Sequence, residues 1–244
     1  MNRQTTSVVL SLSSSKKEAP LVSAIVPFYN EGASLGEVLE RLVRLKRVLP
    51  LEIVAVDDGS TDGSGEIAQK FPFVKCITHP RNLGKGRAIV SGLAQSIGQV
   101  VLIQDADCEY PPEEILALVS PIMKGEADVV FGSRFMGKNW KDMSLSHAFG
   151  NRILSLVTSI LYGVRVSDVM TGHKSFSRRA IESIELTEDG FEIEVEMTGK
   201  LLAKGWKFKE VPIDFVRRQN GVSKLGYKDG LTSLVRLFLF RLRV

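Results

Sequence analysis

The chain alternates between short apolar runs and longer stretches in which apolar residues recur every three or four positions. Short runs of this kind are typical of buried strands, and the longer spacing is typical of helices with one buried face. The predicted strands are Leu21–Val26, Leu51–Val56, Phe73–Thr78, Gln99–Gln104 and Asp128–Phe131. The predicted helices between them are Ala33–Lys46, Asp62–Phe71, Lys85–Ser96 and Pro112–Met123.

This alternation predicts an α/β fold with a mostly parallel sheet that is covered by helices on both faces. Short polar clusters follow the apolar runs that end at Val26, Val56, Thr78 and Gln104. Ligands of such sheets bind beyond the carboxyl ends of the strands. The sequence therefore predicts a binding site at that edge of the sheet.

The pattern changes after Phe131. It predicts helices over Leu145–Leu161 and Glu192–Lys204, strands over Lys207–Val211 and Ile213–Val216, and a last helix over Tyr227–Arg243. We find no internal repeat or linker in the sequence. We therefore expect one domain over residues 21–225, after a flexible tail (1–20) and before a C-terminal amphipathic helix (226–244).

Composition and charge narrow the class of protein. The 244 residues are 44% hydrophobic and 25% charged, an ordinary globular composition. Two cysteines exclude a disulfide framework or a Cys-rich zinc site and indicate a reducing compartment. No run reaches the roughly 18 to 20 apolar residues of a membrane-spanning helix. The net charge of +4 is mild and no nucleic-acid-binding motif is present, so we expect no nucleic acid partner.

Two aspartates follow the apolar run Val100–Ile103 directly. Asp105 and Asp107 are two residues apart, so on an extended backbone their side chains share one face. They can reach one hard cation such as Mg²⁺ or Mn²⁺, which prefers oxygen ligands and keeps positions open for phosphate. Glu109 is a candidate third ligand. The alternative is a pair of aspartates that caps a turn.

Two further clusters suggest a nucleotide. In Pro27–Glu31, Tyr29 is placed to flank a base and Glu31 to accept a hydrogen bond from a base or ribose. Asp58, at the end of another strand, is placed to bind a uracil or guanine edge. The alternatives are an ordinary strand exit with an acid near a helix start, and an Asp-Gly turn.

Two basic clusters suggest an anion. Lys85 lies between glycines at a predicted helix start, where backbone N–H groups favour phosphate. Arg134 follows the last of the five predicted strands and offers a planar fork to phosphate. A plain helix start and a surface arginine are the alternatives.

The order of these clusters resembles the family 2 glycosyltransferases of GT-A fold, in particular the dolichol-phosphate mannose synthases and other polyprenyl-phosphate hexose synthases. The matching segments are Pro27–Glu31, Val56–Asp62, Asn82–Gly86, Asp105–Asp107, Gly132–Arg134, Asp168–Gly172 and Glu210–Pro212. The resemblance implies that a donor half (21–134) binds a nucleotide-diphospho-sugar with Mg²⁺ or Mn²⁺, and that an acceptor half (135–225) admits the acceptor. The implied donor-binding residues are Pro27, Tyr29, Glu31, Asp58, Lys85, Asp105 and Ala106.

Resemblance and charge together favour a polyprenyl phosphate as the acceptor. Arg134, Arg152, Arg217 and Arg218 are the candidate ligands of its phosphate, and from Arg217 onward seven basic residues accompany one acid. The sequence lacks the Q-x-x-R-W motif of processive polysaccharide synthases. It also departs from the common D-A-D-x-Q pattern, since Glu109 fills the last position.

The resemblance also implies a mechanism. A phosphate monoester is largely dianionic near pH 7, because its second pKa is about 6, so no strong base is required. Attack on the sugar C1 inverts the anomeric centre, and Asp105, Asp107 and Arg134 are the candidate catalytic residues. We expect an enzyme that is peripheral at the cytoplasmic face of a membrane, with its terminal helix in the interface. A terminal helix that only closes the core is the alternative.

Two rival functions remain open. A glycosyltransferase that acts on a soluble or glycan acceptor needs a carboxylate base, for which Glu192 and Asp189 are candidates. A non-catalytic nucleotide-sugar-binding module would need no intact aspartate pair. Asp168 is a candidate support of the acceptor site, and its alternative is a helix-terminating turn.

Overall fold

The computed structural model describes residues 21–139, 143–217 and 227–242. Within them a single sheet has seven strands in the order β3-β2-β1-β4-β6-β5-β7. The strands are β1 Val22–Phe28, β2 Leu51–Asp57, β3 Val74–Thr78, β4 Val100–Ile103, β5 Val129–Ser133, β6 Lys174–Ser177 and β7 Phe208–Pro212. The helices are α1 Leu35–Leu45, α2 Ser64–Gln69, α3 Lys85–Gln95, α4 Ile115–Met123, α5 Leu145–Tyr162, α6 Arg178–Glu182, α7 Ile193–Ala203 and α8 Tyr227–Leu242.

The sheet is mostly parallel, as predicted. β1 pairs in parallel with β2 and β4, β2 with β3, and β5 with β7. All five strands predicted before residue 132 are present, and their ends agree with the prediction within two residues. The predicted helices are also present, although a short 3₁₀ turn, Pro112–Glu114, occupies the predicted first turn of α4.

Both faces of the sheet are covered. Every residue of β1 is buried, which explains why six of its seven residues are apolar, without alternation. One core cluster packs α1 and α4 against one face, and Leu35 and Leu118 belong to it. A second cluster packs α3 and α7 against the other face, through Ile89 and Met197. The site residues therefore project from a rigid two-sided core.

One predicted strand is wrong and one strand was missed. Residues 213–216 follow Pro212 as an irregular segment, because two of their backbone N–H groups bond outside the sheet: Asp214 N–H donates to Glu114 Oε1 (2.7 Å) and Val216 N–H to Glu109 O (3.0 Å). The missed strand is β6, which pairs antiparallel with both β4 and β5. Its four residues, Lys-Ser-Phe-Ser, show no apolar run that could have revealed a central strand.

The C-terminal helix α8 packs on α5 and α7. Leu237 and Phe240 lie in a third core cluster with Leu154 of α5. Tyr162 donates a hydrogen bond from its hydroxyl to Leu237 O (3.0 Å), and Arg241 Nε donates to Leu161 O (3.1 Å). One face of α8 thus closes the core. Among the described residues, every helix is too short or too polar to span a bilayer.

Candidate active site

One cavity of about 1620 Å³ opens at the carboxyl ends of the central strands. This is the edge where the sequence predicts a binding site. Its wall contains residues from both predicted halves of the chain. The predicted site residues in its wall are Pro27, Tyr29, Glu31, Asp58, Lys85, Asp105, Ala106, Asp107, Glu109, Arg134 and Arg217.

Two predicted phosphate ligands are not part of this wall as the structure describes it. Arg152 lies on an exposed face of α5, where its guanidinium stacks 4.9 Å from the ring centre of Phe135. Arg152 is not among the residues that line the cavity. Arg218 lies outside the described residues.

The carboxylate of Asp105 is held by an ammonium group. Lys85, at the start of α3, places Nζ 2.7 Å from Asp105 Oδ1 and 3.0 Å from Glu194 Oε1. Burial raises the pKa of Asp105 and outweighs the opposing effect of Lys85. Burial lowers the pKa of Lys85, but the two carboxylates together hold it above its ordinary value. Lys85 therefore stays charged and neutralises Asp105.

The side chain of Asp107 accepts a backbone hydrogen bond, and the residue also lines the cavity. Its Oδ1 accepts the N–H of Glu109 (3.0 Å) across a turn in which Cys108 has a positive φ of 60°. This is the turn-capping bond that the sequence left open as an alternative. Asp105 and Asp107 nevertheless both line the cavity, on either side of Ala106.

The acidic cluster is not an all-protein metal cage. Among the described residues, no group of three or more His, Cys, Asp or Glu is arranged to hold a metal ion, so the predicted three-ligand set with Glu109 is not preassembled. Two carboxylates beside a phosphate site do fit a hard cation, because Mg²⁺ is usually bound by one or two carboxylates together with substrate phosphates. The donor set is compatible with such a cation.

Asp58 is buried and organises the loop that carries Lys85. Its Oδ1 accepts the N–H of Leu83 (2.9 Å), and its Oδ2 accepts the N–H of Gly84 (2.8 Å). His79 Nδ1 lies 2.7 Å from Oδ1 and its Nε2 lies 2.9 Å from Ser91 Oγ. Asp58 thus fixes the Gly84–Lys85 helix start, and contact with a base stays a prediction.

Arg134 is held by a buried carboxylate. Its Nε and Nη2 donate to Oδ2 (2.8 Å) and Oδ1 (2.7 Å) of Asp168, whose Oδ2 also accepts the Arg134 backbone N–H. Asn151 of α5 donates to Oδ1 of Asp168 (2.6 Å). Burial alone would raise the pKa of Asp168, but these donors hold it below its ordinary value. The guanidinium of Arg134 is therefore held in one orientation, and Arg134 lines the cavity.

Several site residues escaped the sequence analysis. Glu194 lies in the first turn of α7 and is 2% exposed, and Tyr110 and Asn151 also line the cavity. Glu194 sits in a helix with other glutamates, a pattern that resembles a solvated face. No local signal in the sequence marks Glu194 as buried, since acids in a helix are rarely buried.

Two solved structures with a similar fold are named as synthases of glycosylated 3-phosphoglycerates. Glucosyl-3-phosphoglycerate synthase from Mycobacterium tuberculosis, crystallised with Mn²⁺, UDP and glucosyl-3-phosphoglycerate, aligns over 92% of this chain and 81% of its own, with a TM-score of 0.69 and 20% identity. Mannosyl-3-phosphoglycerate synthase from Rubrobacter xylanophilus aligns over 92% and 73%, with a TM-score of 0.70 and 20% identity. At this identity they show a shared GT-A fold.

Curated relatives are closer in sequence. The chain is 34% identical to MJ1222 of Methanocaldococcus jannaschii, over 83% of this chain and 84% of the relative. It is 35% identical to the dolichol-phosphate mannosyltransferase of Pyrococcus furiosus, over 84% of this chain but 59% of that enzyme. The polyprenol monophosphomannose synthase of Mycolicibacterium smegmatis is 29% identical, over 82% and 79%. The model of the glycosyl transferase family 2 matches residues 23–184, and the chain belongs to that family.

Proposed function

We propose that this protein is an inverting glycosyltransferase that moves a hexose from a nucleotide-diphospho-sugar, of the GDP-mannose or UDP-glucose type, to a polyprenyl phosphate. One observation carries the proposal: a single cavity joins an acidic pair, a buried arginine fork and an apolar wall. The apolar part of that wall comes largely from the second half of the chain: Met143, Ile153, Leu154, Phe215 and Leu234. The names of the relatives support the same substrate class.

The donor would occupy the side of the cavity formed by β1, β2 and β4. Asp105 and Asp107 would hold Mg²⁺ or Mn²⁺ together with the diphosphate, and such an ion neutralises the charge that develops on the leaving nucleoside diphosphate. Lys85 stands beside Asp105 and adds a second positive charge to the same place. Tyr29 and Glu31 would contact the nucleoside at the rim.

The acceptor would place its phosphate near Arg134 and Arg217. Asp168 fixes the direction of the Arg134 fork and leaves it in the cavity wall. An arginine holds phosphate without giving up its proton, because its pKa stays far above neutral. The phosphate oxygen thus keeps the negative charge with which it attacks C1.

The carboxylates that are candidates for a catalytic base favour an anionic acceptor over a hydroxyl. Burial would raise the pKa of Glu194, but Lys174 and Lys85 lower it below its ordinary value, which makes Glu194 a poor base. The previously considered base Asp189 pairs with Arg87 (2.8 Å) instead. Asp189 and Glu192 are both missing from the described wall of the cavity.

We also propose that the protein binds the cytoplasmic face of a membrane through α5 and α8. Both helices have an exposed apolar stripe beside the cavity, which residues of α5 and α8 help to line. These stripes are Leu145, Phe149, Ile153, Leu156 and Ile160 in α5, and Val235, Phe238 and Leu242 in α8. Exposed Arg152, Arg165 and Arg241 lie on the same two helices or next to them and would attract anionic lipid. A membrane-bound lipid phosphate could then enter the cavity from this surface.

The test is a transfer assay with labelled GDP-mannose and UDP-glucose against two acceptors. One acceptor is a polyprenyl phosphate in vesicles and the other is 3-phosphoglycerate, named in the solved structures of similar fold. We expect label in the organic-extractable fraction and none on 3-phosphoglycerate. The Asp107→Asn variant serves as the inactive control. Label that appears only in water-soluble product would contradict the proposal.

A further inference from the structure

Lys174 places a buried charge at the edge of the sheet where β4 ends, paired with Ile103. It is the first residue of β6 and is 0% exposed. A lysine ammonium has three N–H donors, and here each has an acceptor: Val169 O (3.1 Å), Thr171 O and Glu194 Oε2. Because a buried charge is unfavourable unless it is paired and hydrogen-bonded, this complete set of partners holds Lys174 in one orientation.

Glu194 links Lys174 to Lys85, on the donor side of the cavity. Its side chain is 3% exposed, and Oε1 lies 3.0 Å from Nζ of Lys85, which lies 2.7 Å from Asp105 Oδ1. The four side chains Lys174, Glu194, Lys85 and Asp105 therefore form a row of alternating charge. Two ammonium groups and two carboxylates make this charge row neutral in sum.

Lys174 also fixes the loop on the other side of Asp105. Val169 and Thr171, whose carbonyl oxygens it binds, stand between Asp168 and Gly172. Gly172 lies so close to the candidate metal ligand that a Cβ there would be 2.0 Å from Asp105 Oδ2. One buried ammonium thus holds both the carboxylate that faces Lys85 and the loop that packs against Asp105.

We propose that Glu194, fixed by Lys174, is a positioning residue that retains Lys85 at the donor diphosphate. A divalent cation on Asp105 would compete with Lys85 for that carboxylate. Glu194 then remains as its one anionic partner in the charge row and holds the ammonium beside the cavity. The donor diphosphate would then accept the N–H donors of Lys85 that no longer face Asp105. The inference rests on the part of the proposed function that assigns a nucleotide-sugar donor, and is independent of the acceptor.

The test measures nucleotide binding rather than turnover. GDP and UDP are titrated calorimetrically, with saturating MnCl₂, into the full chain and into Glu194→Gln, Lys85→Met and the double variant. We expect each single variant to weaken the tighter nucleotide about tenfold, and the double variant to bind no more weakly than Lys85→Met. Groups that act through one another give such non-additive effects. A roughly hundredfold, additive loss in the double variant would overturn the proposal.

Two further variants separate positioning from folding. Glu196→Gln removes the charge of another buried glutamate of α7, which binds Thr187 and Lys200 instead. It should change the melting temperature and leave nucleotide affinity unchanged. Glu194→Asp keeps the buried negative charge and withdraws the carboxylate from Lys85 by one methylene. It should weaken binding as Glu194→Gln does, and wild-type affinity in a folded Glu194→Asp protein would also overturn the proposal.

The outcome distinguishes this inference from the proposed function. A wild-type protein that binds neither nucleotide with Mn²⁺ would overturn both. A wild-type protein that binds one of them, with affinity unchanged in Glu194→Gln, would overturn the positioning role alone. Loss of hexose transfer at unchanged nucleotide affinity would assign Glu194 to the chemical step and contradict positioning.

Discussion

Replacing Asp168 by Asn should destabilise the fold strongly, because it removes one buried negative charge. Asp168 is 0% exposed and accepts four hydrogen bonds, three from Arg134 and one from Asn151. Asn has nearly the same size but removes the charge and places N–H donors against N–H donors. The side chain of Arg134 is only 10% exposed, so its charge is left without compensation.

The expected magnitude follows from that burial. Removing one partner of a buried ion pair costs about 3–5 kcal/mol. For a chain of this length each kcal/mol lowers the melting temperature by about 2–4 °C, so we expect a fall of roughly 10 °C. The assay is thermal unfolding followed by circular dichroism. A change smaller than about 3 °C would refute the reasoning.

Two companion variants sharpen this prediction. Glu113→Gln breaks an ion pair of similar geometry with Arg41, but at the surface, where Glu113 is 55% exposed. Exposed pairs contribute about 0–1 kcal/mol, so its melting temperature should move little. The double variant Arg134→Met, Asp168→Asn leaves no buried charge unpaired. It should regain part of the lost stability and remain inactive in hexose transfer.

Three other predictions concern pH, the acidic pair and the exposed stripe. Burial lowers the pKa of His173 to about 3, so the folded protein binds fewer protons than the unfolded chain and loses stability as pH falls from about 6.5 towards 3. The free energy of unfolding, measured in urea, should change on His173→Phe by about 2 kcal/mol more in the stabilising direction at pH 5 than at pH 8. An equal change at both pH values would contradict this. Gly172→Ala should weaken nucleotide binding with Mn²⁺ at least tenfold by calorimetry, whereas Gly36→Ala, whose new Cβ meets only Ile67 at 3.6 Å, should not; equal affinities would refute the steric argument. Replacing Leu145 and Phe149 by Ser should reduce flotation with anionic vesicles, and unchanged flotation would exclude that stripe as the membrane contact.

Much of the fold could be predicted because parallel strands leave an unambiguous pattern. β1 and β2 are almost entirely buried, so both are mostly apolar, interrupted by Ser23 in β1 and Glu52 in β2. The strand β6 left no such pattern, although it lies inside the sheet, because three of its four residues are Lys174 and two serines. Their polar atoms form hydrogen bonds within the protein. Buried polar strands depend on partners far along the chain, which periodicity does not reveal.

The site could be predicted where residues follow strand ends and not where helices supply them. Asp105 follows β4 and Arg134 follows β5. Sheet topology alone therefore brings the two residues to the same edge. Arg152 was predicted from its charge, but its guanidinium stacks on Phe135 and the residue does not line the cavity. Glu194 depends on how α7 packs against α3, a tertiary contact without a local signal. The division into donor and acceptor halves at residue 134 stays a prediction.

The most direct measurement is anomalous diffraction from crystals grown with Mn²⁺ and the nucleoside diphosphate that the protein binds. The account predicts one manganese ion that is bonded to carboxylate oxygens of both Asp105 and Asp107 and to the diphosphate. It also predicts Lys85 Nζ turned from Asp105 to the diphosphate while still in contact with Glu194. Bound nucleotide with no manganese between the two aspartates, or with Lys85 still on Asp105, would contradict it.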